Sequence, residues 1–174
     1  FPHATGFNTG YFGNLTGEFI NGVRSRCIAM GMNGRVVATT NGLSTPTNVT
    51  YLFDSTFQVI TSWSFSSTFF SYDLSTAINK DEKIWFSTTN STGSHITVLS
   101  DQAALLTQFS IAGSLTTELV ADTSGHIYVI YSGQNGAGFG ISRFSSSYVP
   151  DYQKWISIPL TPTKVRWGID QRLY

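Results

Sequence analysis

Charge is scarce in this 174-residue chain: Asp, Glu, Lys and Arg make up 11% of it, ten acids against ten bases, where a typical soluble domain carries about 25%. With a formal net charge of zero and no basic stripe, nothing is present to track a phosphate backbone, which excludes nucleic acid as the expected partner. Cys27 is the only cysteine, so no disulfide can form within the chain, and a lone small thiol reads as a core residue rather than a nucleophile. No apolar run approaches the ~20 residues of a membrane-spanning helix. The histidines His3, His95 and His126 stand far apart, in no metal-binding spacing. A Gly-x-Ser-x-Gly elbow, a phosphate loop, a Cys pair and an Asp-x-Asp-x-Asp-Gly calcium loop are all missing. No metal, no cofactor and no catalytic residue is therefore expected. A Met is also missing at the start, which is Phe1; this reads as a processed or excised product.

What fills the chain instead is Ser, Thr, 16 Gly and an aromatic content of 14%, on an ordinary 41% of hydrophobic residues. Aromatics in that number argue against disorder, because they carry large burial payoffs. The length suits a single domain, spanning 1–174, with a real core. A charge-poor Ser/Thr/Gly/aromatic composition points to an extracellular, cell-surface or virion setting.

The stretch Leu119 to Tyr131 reads as strand, tight turn, strand, punctuated by Asp122 and Gly125. It recurs. Ile127-Tyr128 has counterparts at Val36-Val37, Ile84-Trp85 and Leu173-Tyr174, at separations of 48, 43 and 46 residues, each after a polar turn. Trp63, Phe109 and Trp155 follow at steps of 46, and Phe53, Leu99 and Phe144 at steps of 46 and 45. Each unit then offers four short strands. In the third they fall near 118–121, 126–131, 139–144 and 152–158. Helical periodicity shows only weakly around 102–109, where a loop feeding a strand is the better reading. A period near 45 residues with four strands per unit is a blade-like repeat, and Trp63, Phe109 and Trp155 would fill the wedges between stacked units.

The segment Ala121-Asp122-Thr123-Ser124-Gly125-His126-Ile127-Tyr128-Val129 resembles the Asp-x-x-Gly-x-Ile/Leu-Tyr-Val strand-turn-strand of bacterial β-propeller repeats, including NHL-type families. Weaker echoes lie at 32–37 and 169–174, and the pattern breaks at 80–85, where no Gly follows the Asp. The resemblance implies an all-β, propeller-type domain with four-stranded blades of about 45 residues, and no catalytic residue. The full units would run 22–66, 67–111 and 112–159. The ends, 1–21 and 160–174, would be half blades. They would either pair into a composite fourth blade that closes a ring or belong to an arc completed by further blades or by other copies of the chain. A chain stopping at Leu173-Tyr174, straight after a core pair, favours the arc.

Four charged residues fall near the start of the innermost strand of their units: Arg26, Asp73, Glu118 and Lys164. They would converge at the axis, either as charge balance around a solvated channel or as a polar site at its mouth. Asp122 and Asp170 read as turn formers through Asx bonding, and Asp54 and Asp101 also lie at turns. Trp167 stands where Ala29, Ala77 and Ala121 stand in the other units, and would plug the hub or offer a stacking platform. Asn14, Asn48 and Asn90 head sequons that permit glycosylation without arguing for it.

The function these features support is non-enzymatic recognition or structural support, with a protein or glycan partner held by the loops between strands. A lectin-like reading would need exposed aromatics beside polar side chains, for which Tyr51, Trp85 and Tyr128 are candidates. A polysaccharide hydrolase or lyase would need acids such as Asp73 and Glu118 around a cleft.

Overall fold

The computed structural model describes residues 24–41, 48–65, 75–90, 93–112, 114–133, 138–157, 165–168 and 170–174. Twelve strands are formed: β1 Arg24–Met30, β2 Val36–Asn41, β3 Asn48–Phe53, β4 Val59–Phe65, β5 Ser75–Ile78, β6 Ile84–Asn90, β7 Gly93–Leu99, β8 Leu105–Ala112, β9 Ser114–Ala121, β10 Ile127–Gly133, β11 Phe139–Phe144 and β12 Pro150–Ile156. They make three four-stranded sheets, β1–β4, β5–β8 and β9–β12, each a meander in chain order with antiparallel neighbours. The first strand of one sheet lies against the first strand of the next, β1 on β5 and β5 on β9. Sheets that meet at their inner strands and stack face to face form the expected β-propeller-type array.

Successive residues of a strand face opposite sides of its sheet, so one strand packs on two neighbours. In β6, Ile84 and Phe86 pack toward the first sheet with Val37 and Leu52, while Trp85 packs toward the third with Ile127, Val129 and Phe144. The fillers are aromatic. Trp63 meets Phe86 edge-on at 5.5 Å between ring centroids, and Phe109 lies 5.1 Å from Phe144.

Trp155 departs from the sequence expectation. Trp63 pairs with Thr50 and Phe109 with Ile96, and the residue in that register in the third sheet is Lys154, opposite Ile141. Trp155 pairs with Gly140. It therefore points to the other face, beside Tyr131, and stands half-exposed. Adjacent strand residues face opposite ways, so matching aromatic to aromatic one position out of register reversed the side chain.

The turns explain the repeat. Four inner hairpins close alike: Gly31 N–H donates to Arg35 O, Asn79 to Lys83, Asp122 to His126 and Gly168 to Arg172, at 2.8–3.1 Å. Each turn needs one left-handed residue, supplied by Gly34, Glu82, Gly125 and Gln171. Glu82, at φ 60°, takes this position where the sequence lacks Gly. The outer hairpins reuse the scheme with Phe57, Ala103 and Tyr148 left-handed. An Asp, Asn or Ser opens most of these turns and accepts two backbone N–H groups. Asp54 Oδ1 accepts from Thr56 and Gln58, Asn79 Oδ1 from Asp81 and Lys83, Ser100 Oγ from Gln102 and Ala104, and Asp122 Oδ1 from Ser124 and His126. Asp170 is not such a group. Gly168 opens its turn, and the Asp170 carboxylate instead accepts from the Tyr174 hydroxyl.

The fourth inner hairpin pairs Trp167 with Leu173. Its turn fixes the register: Trp167 corresponds to Met30, Ile78 and Ala121, which pair with Val36, Ile84 and Ile127. Ala29 and Ala77 lie one position earlier, so the expected equivalence holds for Ala121 alone.

Candidate functional site

Three places carry polar or exposed chemistry. The first is the hub, where inner strands meet. Ser75 opens β5; its hydroxyl donates to Glu118 Oε1 at 3.0 Å and accepts the Leu119 N–H at 2.9 Å. Arg166, on the terminal hairpin, brings its guanidinium to 3.6 Å from Glu118 Oε2. One carboxylate thus links the second sheet, the third sheet and the hairpin. Of the five residues singled out from the sequence, this places Glu118 at the hub. Arg26 falls at the register break of β1, between Ser25 and Cys27, with its side chain outside the described set. Asp73 and Lys164 lie outside the described residues. Ser75 and Arg166 were missed. Ser75 is one of many serines, and Arg166 gains meaning only once the terminal hairpin is in register.

The second place is the far face of the third sheet. Asp122 is buried, and its Oδ2 meets His126 Nδ1 at 2.9 Å and the Tyr128 hydroxyl at 3.4 Å. Burial raises the Tyr128 phenol above its ordinary value, opposed by hydrogen bonding to Arg143 and reinforced by the Asp122 charge. Arg143 Nε donates to Asp151 at 2.8 Å. That bond holds the Asp151 carboxyl below its usual range and keeps the guanidinium firmly charged. Trp167 stacks on Tyr128 at 5.2 Å with planes 24° apart, packed against Val120, Ile130 and Val165. It is a wedge between sheet and hairpin. Among the described residues no group of three His, Cys, Asp or Glu is arranged to hold a metal ion.

The third place is the end of the array that carries the turns. Here neighbouring sheets are tied through their loops. Arg35 donates to the Asp101 carbonyl at 3.0 Å, Lys83 sits 5.1 Å over the Tyr148 ring, and Asn79 Nδ2 donates to Gly125 O at 3.3 Å. Glu82 packs over Gly31 and accepts the Asn33 N–H at 3.4 Å; a Cβ on Gly31 would stand 2.7 Å from its carboxylate. Beside these loops the outer strands begin with exposed apolar residues: Val59 and Ile60, Leu105 and Leu106, and Val149 before Pro150. Each outer strand also shifts register immediately after its first pair. Such bulges spoil the edge for uncontrolled strand pairing. The side chains remain on offer while the backbone does not.

Two of the proposed glycan platforms are core. Tyr51 and Trp85 are buried, Trp85 among Phe109, Phe144 and Tyr148. No helix among the described residues is long and apolar enough to cross a membrane.

No family model matches the chain, and no curated protein matches it. Solved structures do. The Dos1 propeller is similar with a TM-score of 0.60 at 14% identity, over 84% of this chain and 37% of that one. A protein of unknown function from Bacteroides caccae is similar at 0.55 and 8% identity, over 88% and 53%. A chain of the nidogen/laminin complex is similar at 0.52 and 10% identity, over 86% and 70%. At these identities the likeness is one of fold. The chain spans 37% of the Dos1 propeller and 53% of the Bacteroides caccae protein. Repeated four-stranded sheets and these neighbours together establish the propeller-type architecture.

Proposed function

We propose that this chain is a non-enzymatic recognition or structural module of a secreted, cell-surface or virion protein, and that it grips a protein partner through the turn end of its blades. The observation that carries this reading is the recurrence of exposed apolar residues at the start of β4, β8 and β12, beside loops locked by Asx and Ser bonding. A row of rigidly presented apolar groups suits protein association, where aromatic and aliphatic side chains supply the buried centre and the polar loops the rim. The low charge of the composition supports the extracellular setting. A protein is favoured over a glycan because Tyr51 and Trp85 are buried and Tyr128 is stacked against Trp167. One solved relative in fold was captured as the nidogen/laminin complex.

The test is a binding screen against a panel of extracellular and surface domains, repeated with Ile60→Glu and Leu106→Glu. A partner whose affinity falls tenfold or more in both variants, with melting unchanged, is the expected result. Turnover on a polysaccharide panel that is lost in Asp73→Asn or Glu118→Gln would overturn it in favour of a hydrolase or lyase. Glycan-array binding lost in Trp167→Ala would overturn it in favour of a lectin.

A further inference from the structure

One row of the third sheet breaks the repeat. At the end of the strands away from the inner and outer turns, Tyr131 of β10, Gly140 of β11 and Trp155 of β12 lie side by side. The same row reads Thr40, Val49 and Ser64 in the first sheet, and Thr88, His95 and Ser110 in the second. In the second sheet the row is satisfied from within, His95 Nδ1 meeting Ser110 Oγ at 2.9 Å. In the third it holds two large rings with a glycine between them. Tyr131 requires that glycine: a Cβ on Gly140 would run into the phenol ring, which lies across it.

The two rings differ in burial. Tyr131 packs on the core between the second and third sheets. Trp155 belongs to no core cluster and is 47% exposed. Their centroids stand 6.3 Å apart with planes at 43°, so they form an open corner rather than a stack. The next row on the same face supplies polar groups. Gln153 Nε2 donates to Ser142 Oγ, and Ser142 Oγ donates to the Tyr131 hydroxyl, each at 3.4 Å. A phenol that accepts from Ser142 keeps its own proton for an outside acceptor. Gln153 is exposed beside it.

We infer that this corner is a sugar-binding site that takes one pyranose ring of an uncharged glycan. The C–H face of the sugar lies on Trp155, and its hydroxyls meet the Tyr131 hydroxyl and the Gln153 amide. Small-ligand sites combine apolar walls with a few fixed polar groups in this way. Size decides against a protein at this place: a half-exposed Trp offers on the order of 100 Å², whereas a specific protein interface buries about 1,200 Å² or more. Charge decides against an ionic ligand. Arg143 and Lys154 stand in the rows that face the other way, and Asp151 is bonded to Arg143. The corner supplies, in one blade, the exposed aromatic beside polar side chains that Tyr51, Trp85 and Tyr128 do not. It lies at the opposite end from the apolar row beside the turns, and it stands independently of the protein-binding reading.

Titration calorimetry with cellotetraose, chitotetraose and galactotetraose at millimolar concentration tests this. Binding of at least one is expected. Trp155→Ala should weaken it tenfold or more without changing the melting of the sheets, because the ring is already half-exposed, and Trp155→Phe should restore part of it. Gln153→Leu, which leaves both rings in place, should weaken it as well and decides the matter alone if Trp155→Ala melts early. Ile60→Glu and Leu106→Glu should leave sugar binding intact, so that failure here and failure of the turn-end reading are told apart. Binding of none of the three sugars, binding indifferent to Trp155→Ala and Gln153→Leu, or a protein partner whose affinity is lost in Trp155→Ala would each overturn the inference.

Discussion

The junction between the second and third sheets and the junction between the third sheet and the terminal hairpin use the same register with different chemistry. On the far face of the first and second sheets, Leu52 and Val98 are buried and Trp63 and Phe109 fill the outer wedge. On the far face of the third sheet the same positions carry Arg143 and Lys154. Elsewhere on that face Val120, Tyr128, Ile130, Phe139 and Ile141 form one apolar cluster with Val165, Trp167 and Leu173 of the hairpin. Beyond it the face is held by the Arg143–Asp151 pair.

That contrast is broken most forcefully by moving the charge inward. Val98→Arg places a guanidinium in a position that is fully buried between sheets. An unpaired charge there costs more than about 4 kcal/mol, enough to unfold a domain of ordinary stability. Urea titration followed by tryptophan fluorescence reads this directly; a folded Val98→Arg variant would show the junction to be wet.

A smaller effect is expected at the hairpin. Trp167→Ala removes one stacked ring from a half-buried wedge and should cost about 1–2 kcal/mol. Because the hairpin is a two-stranded unit held by one packed face, the loss should appear first as local release. Limited proteolysis should clip near residue 170 while the three sheets stay protected. Simultaneous loss of all protection would mean that hairpin and sheets unfold together.

These contrasts also mark what the sequence could show. The strand-turn-strand period was legible because each hairpin needs an Asx or Ser acceptor and a left-handed residue at fixed offsets, and Asp122 and Gly125 display both. The Phe53, Leu99 and Phe144 landmark was legible for the same reason, since each closes a strand before an outer turn. Trp155 misled because face is decided by parity, and one residue of slip in a period of about 45 is invisible to a search for aromatics. Glu118 could be placed near the axis from its position in β9. Its partners Ser75 and Arg166 could not, because they arrive from other units at sequence separations that no local pattern encodes.

Arg143→Leu restores to the third sheet the kind of residue found at Leu52 and Val98. If the outer half of this face meets only water, the added apolar side chain finds nothing to pack on. The exposed pair it removes contributes little, so stability should hardly move. The clearer signal is in Asp151, whose carboxyl is held down chiefly by its hydrogen bond from Arg143. A carboxyl lowered in the folded state stabilises at pH above its unfolded value and loses that contribution as pH falls through the folded one. The substitution should therefore return Asp151 to its ordinary titration, seen by carboxyl NMR. Any stability difference between the two proteins should be present at neutral pH and vanish on the acid side of the usual carboxylate range. A clear gain in stability would instead show that a further layer covers Arg143.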